Sequence, residues 1–270
     1  MKSHTAIASL IIASASATAL AGSGSGDILL QDANSSATFN SDSGQVSWIV
    51  DGVENLFDQS FYFRRSTDTQ EYRVDDSNLG LVGYFASDTN PFIDTNNDTF
   101  AALYEDNGLE IETTFTLRGG TNGSNTSSIS ELISISNNTN QSMTISMFQF
   151  VDMDMGGDFS DDYAAVMDAN VVQQWDDSNF VSETVATPVP TLFQVGNQAD
   201  LFDALNDGAI TNLDGTASAG PTDIGWAFQW DITIGAGQSF LISIEKNIVP
   251  APGSMAFLGL AGLAATRRRR

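Results

Sequence analysis

Short stretches in which apolar and polar side chains alternate restrict this sequence more than any other feature does. In Leu109 to Leu117, Ile111, Thr113, Phe115 and Leu117 fall on one side of an extended strand, and Glu110, Glu112, Thr114 and Thr116 on the other. Phe240, Ile242 and Ile244 alternate with Leu241, Ser243 and Glu245. Further runs rich in aromatic or β-branched residues span 45–50, 59–64, 79–86, 100–105, 129–136, 143–152, 165–175, 180–186 and 224–234. Turn-forming clusters separate them, among them Arg118-Gly119-Gly120-Thr121-Asn122-Gly123 and Gly235-Ala236-Gly237. Only 198–206, with Leu201, Phe202 and Leu205 at helical spacing, predicts a helix. Roughly a dozen short strands without alternating helices predict an all-β domain, an antiparallel two-sheet β-sandwich of jelly-roll or super-sandwich type with one short helix. Residues 187–220 are expected to leave the sheets as one long excursion.

The two ends differ from everything between them. Met1 to Ala21 opens with the positive Lys2, continues through an apolar stretch from Ala6 to Ala19, and closes on Ala19-Leu20-Ala21, an A-x-A cleavage site. It reads as a secretory signal peptide. At the other end, Val249-Pro250-Ala251-Pro252 precedes an uncharged, mostly apolar run from Gly253 to Thr266, and then Arg267, Arg268, Arg269 and Arg270. This end resembles the bacterial PEP-CTERM sorting signal, with Ala251 where the motif usually carries glutamate. A helix over 253–266 reaches about 21 Å against a hydrocarbon core of about 30 Å, a marginal span that snorkelling arginines help to bridge. The resemblance implies secretion machinery and an exosortase-like transpeptidase as partners, and transient membrane contact through the C-terminal helix. It also implies delivery to the envelope, surface or extracellular matrix of a Gram-negative-type bacterium. The expected division is signal peptide 1–21, β-sandwich ectodomain 22–248 and sorting signal 249–270, a helix flanking the sandwich at each end.

A second resemblance lies inside the body. Ser47 to Phe57, Phe61 to Arg64, Ile129 to Leu132 and Phe148 to Gly157 look like the ectodomain of other PEP-CTERM proteins from environmental bacteria, for which no activity is implied.

All 34 acidic residues lie between the ends, and only Arg64, Arg65, Arg73, Arg118 and Lys246 oppose them there, so the body carries a net charge of −29. Such a surface repels nucleic acid and anionic lipid and suits divalent cations or saline surroundings. The one histidine, His4, falls in the signal peptide, and there is no cysteine. The body therefore lacks the groups for Ser-His-Asp or Cys-His catalysis and for an ordinary zinc site. Carboxylate chemistry and calcium held by oxygen ligands remain.

Two acidic clusters are candidates. In Asp94-Thr95-Asn96-Asn97-Asp98 the oxygens recur at every second residue, and Glu105 falls at the twelfth position, but Thr99 occupies the place of the turn glycine in an EF-hand. The pattern points to a looser calcium turn built on Asp94, Asn96 and Asp98, against a solvated Asx-rich loop. In the second cluster, Asp152 and Asp154 share a face if the strand continues, with Asp158 close by. Crowded carboxylates raise one another's pKa or recruit a cation, here calcium. A catalytic carboxylate pair at this cluster, or between Glu131 and Asp152 across a hairpin, is the enzymatic alternative. Trp48, Trp175, Trp226 and Trp230 are expected in the core.

The leading expectation from sequence is an exported, C-terminally processed surface or matrix protein, associated with exopolysaccharide or biofilm, without catalysis. The alternatives are a calcium-dependent carbohydrate-binding module and a carboxylate-based glycosidase or lyase.

Overall fold

The structure is a computed structural model that describes residues 26–40, 44–74, 79–92 and 94–251. In chain order the strands are β1 (Asp27–Asp32), β2 (Ser35–Asn40), β3 (Gly44–Val50), β4 (Val53–Glu54), β5 (Asp58–Arg65), β6 (Tyr72–Arg73), β7 (Gly80–Ser87), β8 (Thr99–Asp106) and β9 (Leu109–Gly119). They continue as β10 (Ser127–Asn137), β11 (Met143–Asp152), β12 (Asp162–Asp168), β13 (Val171–Trp175), β14 (Asn179–Thr187), β15 (Leu192–Asn197), β16 (Ser218–Thr222), β17 (Ile224–Ile234) and β18 (Ser239–Pro250). One α-helix, α1 (Gln198–Asn206), and a single 3₁₀ turn at Met155–Gly157 complete the described elements.

The strands form two antiparallel sheets. The first runs β1-β2-β3-β5-β11-β17-β15, with β4 on β3 and β6 on β5, and the second runs β16-β12-β13-β14-β18-β10-β9-β8-β7. With nine strands in each, the sandwich exceeds an eight-stranded jelly roll. Alternation decides which face meets the other sheet. On β9, Ile111, Thr113, Phe115 and Leu117 are buried and the intervening residues are not, so the predicted phase holds. Phe39, Phe100 and Phe115 meet between the sheets with ring centroids 4.5 to 6.2 Å apart.

The predicted strand 165–175 is two strands, β12 and β13, folded back at Ala169-Asn170. Asn170 secures the turn: its Nδ2 donates to the Val185 carbonyl at 2.9 Å. The predicted excursion is structured, since β15 and β16 join the edges of different sheets and α1 lies on the outer face of the first. There Leu201, Leu205 and Leu213 close over Tyr62, Phe148, Phe150 and Ala227 as a second, smaller core. Arg64, paired with Glu71, ties the loop after α1 to β5 by donating to the Thr211 carbonyl at 2.6 Å.

The expected signal peptide, with Ala19 and Ala21, and the expected sorting segment from Pro252 to Arg270 lie outside the described residues. Val249 and Pro250, counted in the tail on sequence, belong to β18, where they pair with Phe180 and Asn179 of β14. Ala251 follows the same path, its N–H donating to the Ser178 carbonyl at 2.9 Å. Among the described residues no helix is long and apolar enough to cross a membrane.

Candidate functional site: an acidic pocket under the helix

β11 carries Ile145, Met147 and Val151 towards the core, and Phe148, Phe150 and Asp152 towards the outer face beneath α1. The strand ends at Asp152, and the chain turns into Met153-Asp154 and the 3₁₀ turn. β11 lies between β5 and β17, with Asp152 opposite Asp58 on one side and opposite Gly225 on the other. Asp223, just before β17, arrives beside it by this pairing. Ligand oxygens of Asp152, Asp154 and Asp223 all lie within 4.8 Å of one another, the one such acidic group among the described residues, and these three carboxylates could hold a metal ion.

The N-terminus of α1 helps to hold Asp223. Asn197 caps the helix, its Oδ1 accepting from the N–H of Ala199 at 3.1 Å. Gln198 then donates through its backbone N–H to the Asp223 carbonyl at 3.2 Å and through Nε2 to Asp223 Oδ2 at 3.3 Å. This close approach leaves little room at Gly225, where an added Cβ would stand 3.2 Å from Gln198 Cα and from Phe150 Cε2.

Crowding sets the electrostatics. Asp152 is 2% exposed, and its Oδ1 has no hydrogen-bond partner. Burial, and then the carboxylates of Asp223, Asp154, Asp58 and Asp162, push its pKa up to about 8. Burial, followed by Asp223, Glu54 and Asp158, raises Asp154 as well. A proton or a cation relieves such a cluster. Asp58 lies 3.6 Å from Arg73 Nη2 and accepts from the Ser60 hydroxyl at 3.0 Å.

Above these carboxylates opens a pocket of about 460 Å³, lined by Phe57, Asp58, Arg73 and Asp152 from the sheet and by Phe202 and Asp203 from α1. A hollow of about 260 Å³ adjoins it through Phe57 and Asp152, and reaches Asp154, Asp223 and Phe159. Phe57 and Phe159 are 64% and 57% exposed, so two aromatic faces stand open beside the acid groups. Sugar rings bind in this way, an apolar face against an aromatic ring and hydroxyls against carboxylates and amides.

The other sequence candidates are placed elsewhere. Asp158 is exposed and accepts from the Ser160 N–H and hydroxyl at 2.9 Å, which lowers its pKa. Asp94 accepts from the Asn96 N–H at 2.8 Å in an exposed Asx turn. Asp98 is buried and its oxygens accept from Thr89 and Thr99, at 2.7 Å from the Thr89 hydroxyl. Glu131 and Asp152 are not a pair across a hairpin. β10 and β11 belong to different sheets, Glu131 faces the core, and Asp152 faces outward. Asp223 went unseen because nothing local distinguishes it; the β11–β17 register brings it to the site.

The fold is a β-sandwich of the aldose-epimerase kind. No family model matches the sequence, and no curated protein matches it either. Among solved structures it resembles a galactose mutarotase-like protein from Lactobacillus casei ATCC 334 with a TM-score of 0.54 and 9% identity, over 83% of this chain and 100% of that one. Galactose 1-epimerase from Lactobacillus acidophilus NCFM gives 0.53 and 8%, over 83% and 94%. A bacterial glucoamylase complexed with acarbose gives 0.56 and 8%, over 90% of this chain, which spans only 35% of the glucoamylase.

These comparisons correct the expectation of a surface protein without catalysis. A similar sandwich occurs in proteins named as sugar epimerases and in about a third of a glucoamylase, and here it carries an open, aromatic-lined pocket with buried Asp152, whose pKa is raised, in its wall.

Proposed function

We propose that this protein is a carboxylate-based, carbohydrate-processing enzyme acting in the pocket between β11 and α1. The observation that carries the reading is the convergence of Asp58, Asp152 and Asp203 on one sugar-sized pocket with Phe57 and Phe202 in its walls. Asp58 on the sheet and Asp203 on the helix are the proton-transfer pair, one to protonate the departing sugar oxygen and the other to take the proton from the water that attacks the anomeric carbon. Asp152, Asp154 and Asp223 hold a cation next to them. Calcium suits an all-carboxylate set of hard oxygens, and the partnerless Asp152 Oδ1 is the atom it would satisfy. An exported bacterial protein with a C-terminal sorting signal would meet such substrates as extracellular polysaccharide, and that address is part of the proposal.

The test is turnover. With calcium present, purified protein is incubated with a panel of polysaccharides and reducing sugars, and new reducing ends and anomer exchange are followed. Wild type is expected to turn over at least one of them, and Asp203→Asn to lose about 10²- to 10⁴-fold while staying folded. Absence of both reactions across the panel, or an Asp203→Asn variant as active as wild type, overturns the reading.

A further inference from the structure

A second aromatic surface lies on the outer face of the other sheet. Tyr163 on β12, Trp175 on β13 and Phe180 on β14 are cross-strand partners, and Phe180 in turn opposes Val249 on β18. Tyr163 and Trp175 stack with centroids 6.1 Å apart and an angle of 11°. Strands about 4.8 Å apart place these rings in a row about 10 Å long. Met167, 61% exposed, lies farther along β12 beside the row, and together with Gln173, Trp175, Asp176, Asp177 and Phe180 it lines a hollow of about 440 Å³. Tyr163 is 41% exposed and Trp175 and Phe180 are half-buried, so ring surface along the row stays open to a ligand.

Charge narrows the choice of ligand. Asp176 and Asp177 stand at the rim, and none of the five cations among the described residues lines the hollow. Asp176 Oδ1 is used by the turn, accepting from the Ser178 N–H at 2.6 Å, whereas the Asp177 side of the rim is exposed. An anionic ligand would be repelled here, and a purely apolar one would leave the carboxylates unused. A ring with one apolar face and a positive charge satisfies both, because an ammonium is drawn to carboxylates and to the face of tryptophan. We propose that this hollow binds an amino sugar of a glycan chain, its ring lying on Trp175 and Phe180 and its ammonium held at Asp176 and Asp177. The inference stands apart from the pocket under α1.

The structure supplies its own reporter. Trp48, Trp226 and Trp230 are buried to within 1% and Trp175 is not, so a ligand in this hollow changes the emission of one tryptophan. The probes are a short glucosamine oligomer with free amines and its fully N-acetylated counterpart, titrated into the full chain. Saturable change with the free-amine oligomer is expected, weakened by salt, with the acetylated form about tenfold weaker. By calorimetry Trp175→Ala is expected to abolish binding, and Asp177→Asn to weaken it severalfold with an unchanged circular-dichroism spectrum. Turnover in the pocket under α1 is expected to survive Trp175→Ala, which separates the two proposals. Equal affinity for both oligomers, no binding at all, or full affinity in Trp175→Ala overturns the inference. So does binding seen only after residues 252–270 are removed, which would assign the hollow to the chain's own arginine tail.

Discussion

Lys246 Nζ lies 3.3 Å from Glu183 Oε2 at the centre of the sandwich, where both side chains are excluded from solvent. The same ammonium pairs with Glu131, one strand away on β10, and is met from the opposite sheet by Gln59. Gln59 and Gln149 also donate to Glu131, at 2.9 and 3.2 Å. One cation therefore faces two carboxylates in a low-dielectric interior, and the glutamines satisfy part of the remainder. Burial, opposed by Lys246 and reinforced by Glu131, pushes Glu183 up to about 7.

Removing the cation strands both glutamates. Lys246→Met is expected to destabilise the protein by about 3–5 kcal/mol, the usual consequence of leaving buried charge unpaired. Combining it with Glu131→Gln and Glu183→Gln is expected to recover most of the loss, because the uncompensated charge goes as well. Urea unfolding of the single and triple variants measures both, and a single variant as stable as wild type would refute the account.

The interior carboxyls also set how stability responds to pH. Glu183 and Asp162 titrate near 7 in the fold, Asp162 chiefly through burial and despite the Gln174 amide donating to it at 2.6 Å. Unfolded, they titrate near 4.3 and 3.9. Between about pH 4 and 7 the folded state thus binds more protons than the unfolded one, so stability falls as pH rises. Each group contributes at most about 1.4 kcal/mol per pH unit across that window. In calcium-free buffer the protein is expected to melt higher at pH 5 than at pH 7.5, and Asp162→Asn to flatten the slope. A melting temperature that climbs over this interval would contradict the assignment.

The strands were legible because alternation follows directly from which face is buried: β11 and β17 have the expected limits, and α1 spans the predicted 198–206. β1 and β2 were missed because exposed Leu29 between the inward Ile28 and Leu30 blurs the alternation of β1, and only Phe39 among the inward Ser35, Ala37 and Phe39 of β2 is large and apolar. Glu131 shows where hydropathy misleads. It points inward while Leu132 points out, since Lys246 gives the carboxylate a partner that no local pattern announces. At the site, Asp152 and Asp154 stood out as neighbours in sequence. Trp175 broke the expectation of four core tryptophans because β13 turns it outward, to the face opposite buried Gln174.

Calcium is expected to act on stability through the three clustered carboxylates. A ligand at 100 times its dissociation constant adds about 2.7 kcal/mol, which in a domain of this size raises the melting temperature by about 5–10 °C. Asp152→Asn and Asp223→Asn are expected to abolish the rise, whereas Asp94→Asn, in its separate exposed turn, leaves it intact. A thermal melt with and without millimolar calcium decides the matter. An unchanged rise in Asp223→Asn would place the ion elsewhere.

The roof of the pocket depends on a position without a side chain. At Gly225 a single methyl would sit 3.2 Å from both Gln198 Cα and Phe150 Cε2, a contact that small backbone shifts can absorb. Gly225→Ala is therefore expected to be mild. A valine drives further atoms into the same space and must lift the first turn of α1, at about 1–3 kcal/mol. Because Gln198 positions Asp223, lifting that turn also pulls apart the three carboxylates, so Gly225→Val is expected to weaken calcium binding more than its stability loss alone explains. Gly80→Ala serves as the control, since its Cβ would meet only the Glu105 carbonyl, at 3.6 Å. Calcium titrations of all three variants, each normalised to its own unfolding curve, separate the two effects, and a Gly225→Val protein with wild-type calcium affinity would show that α1 does not organise the site.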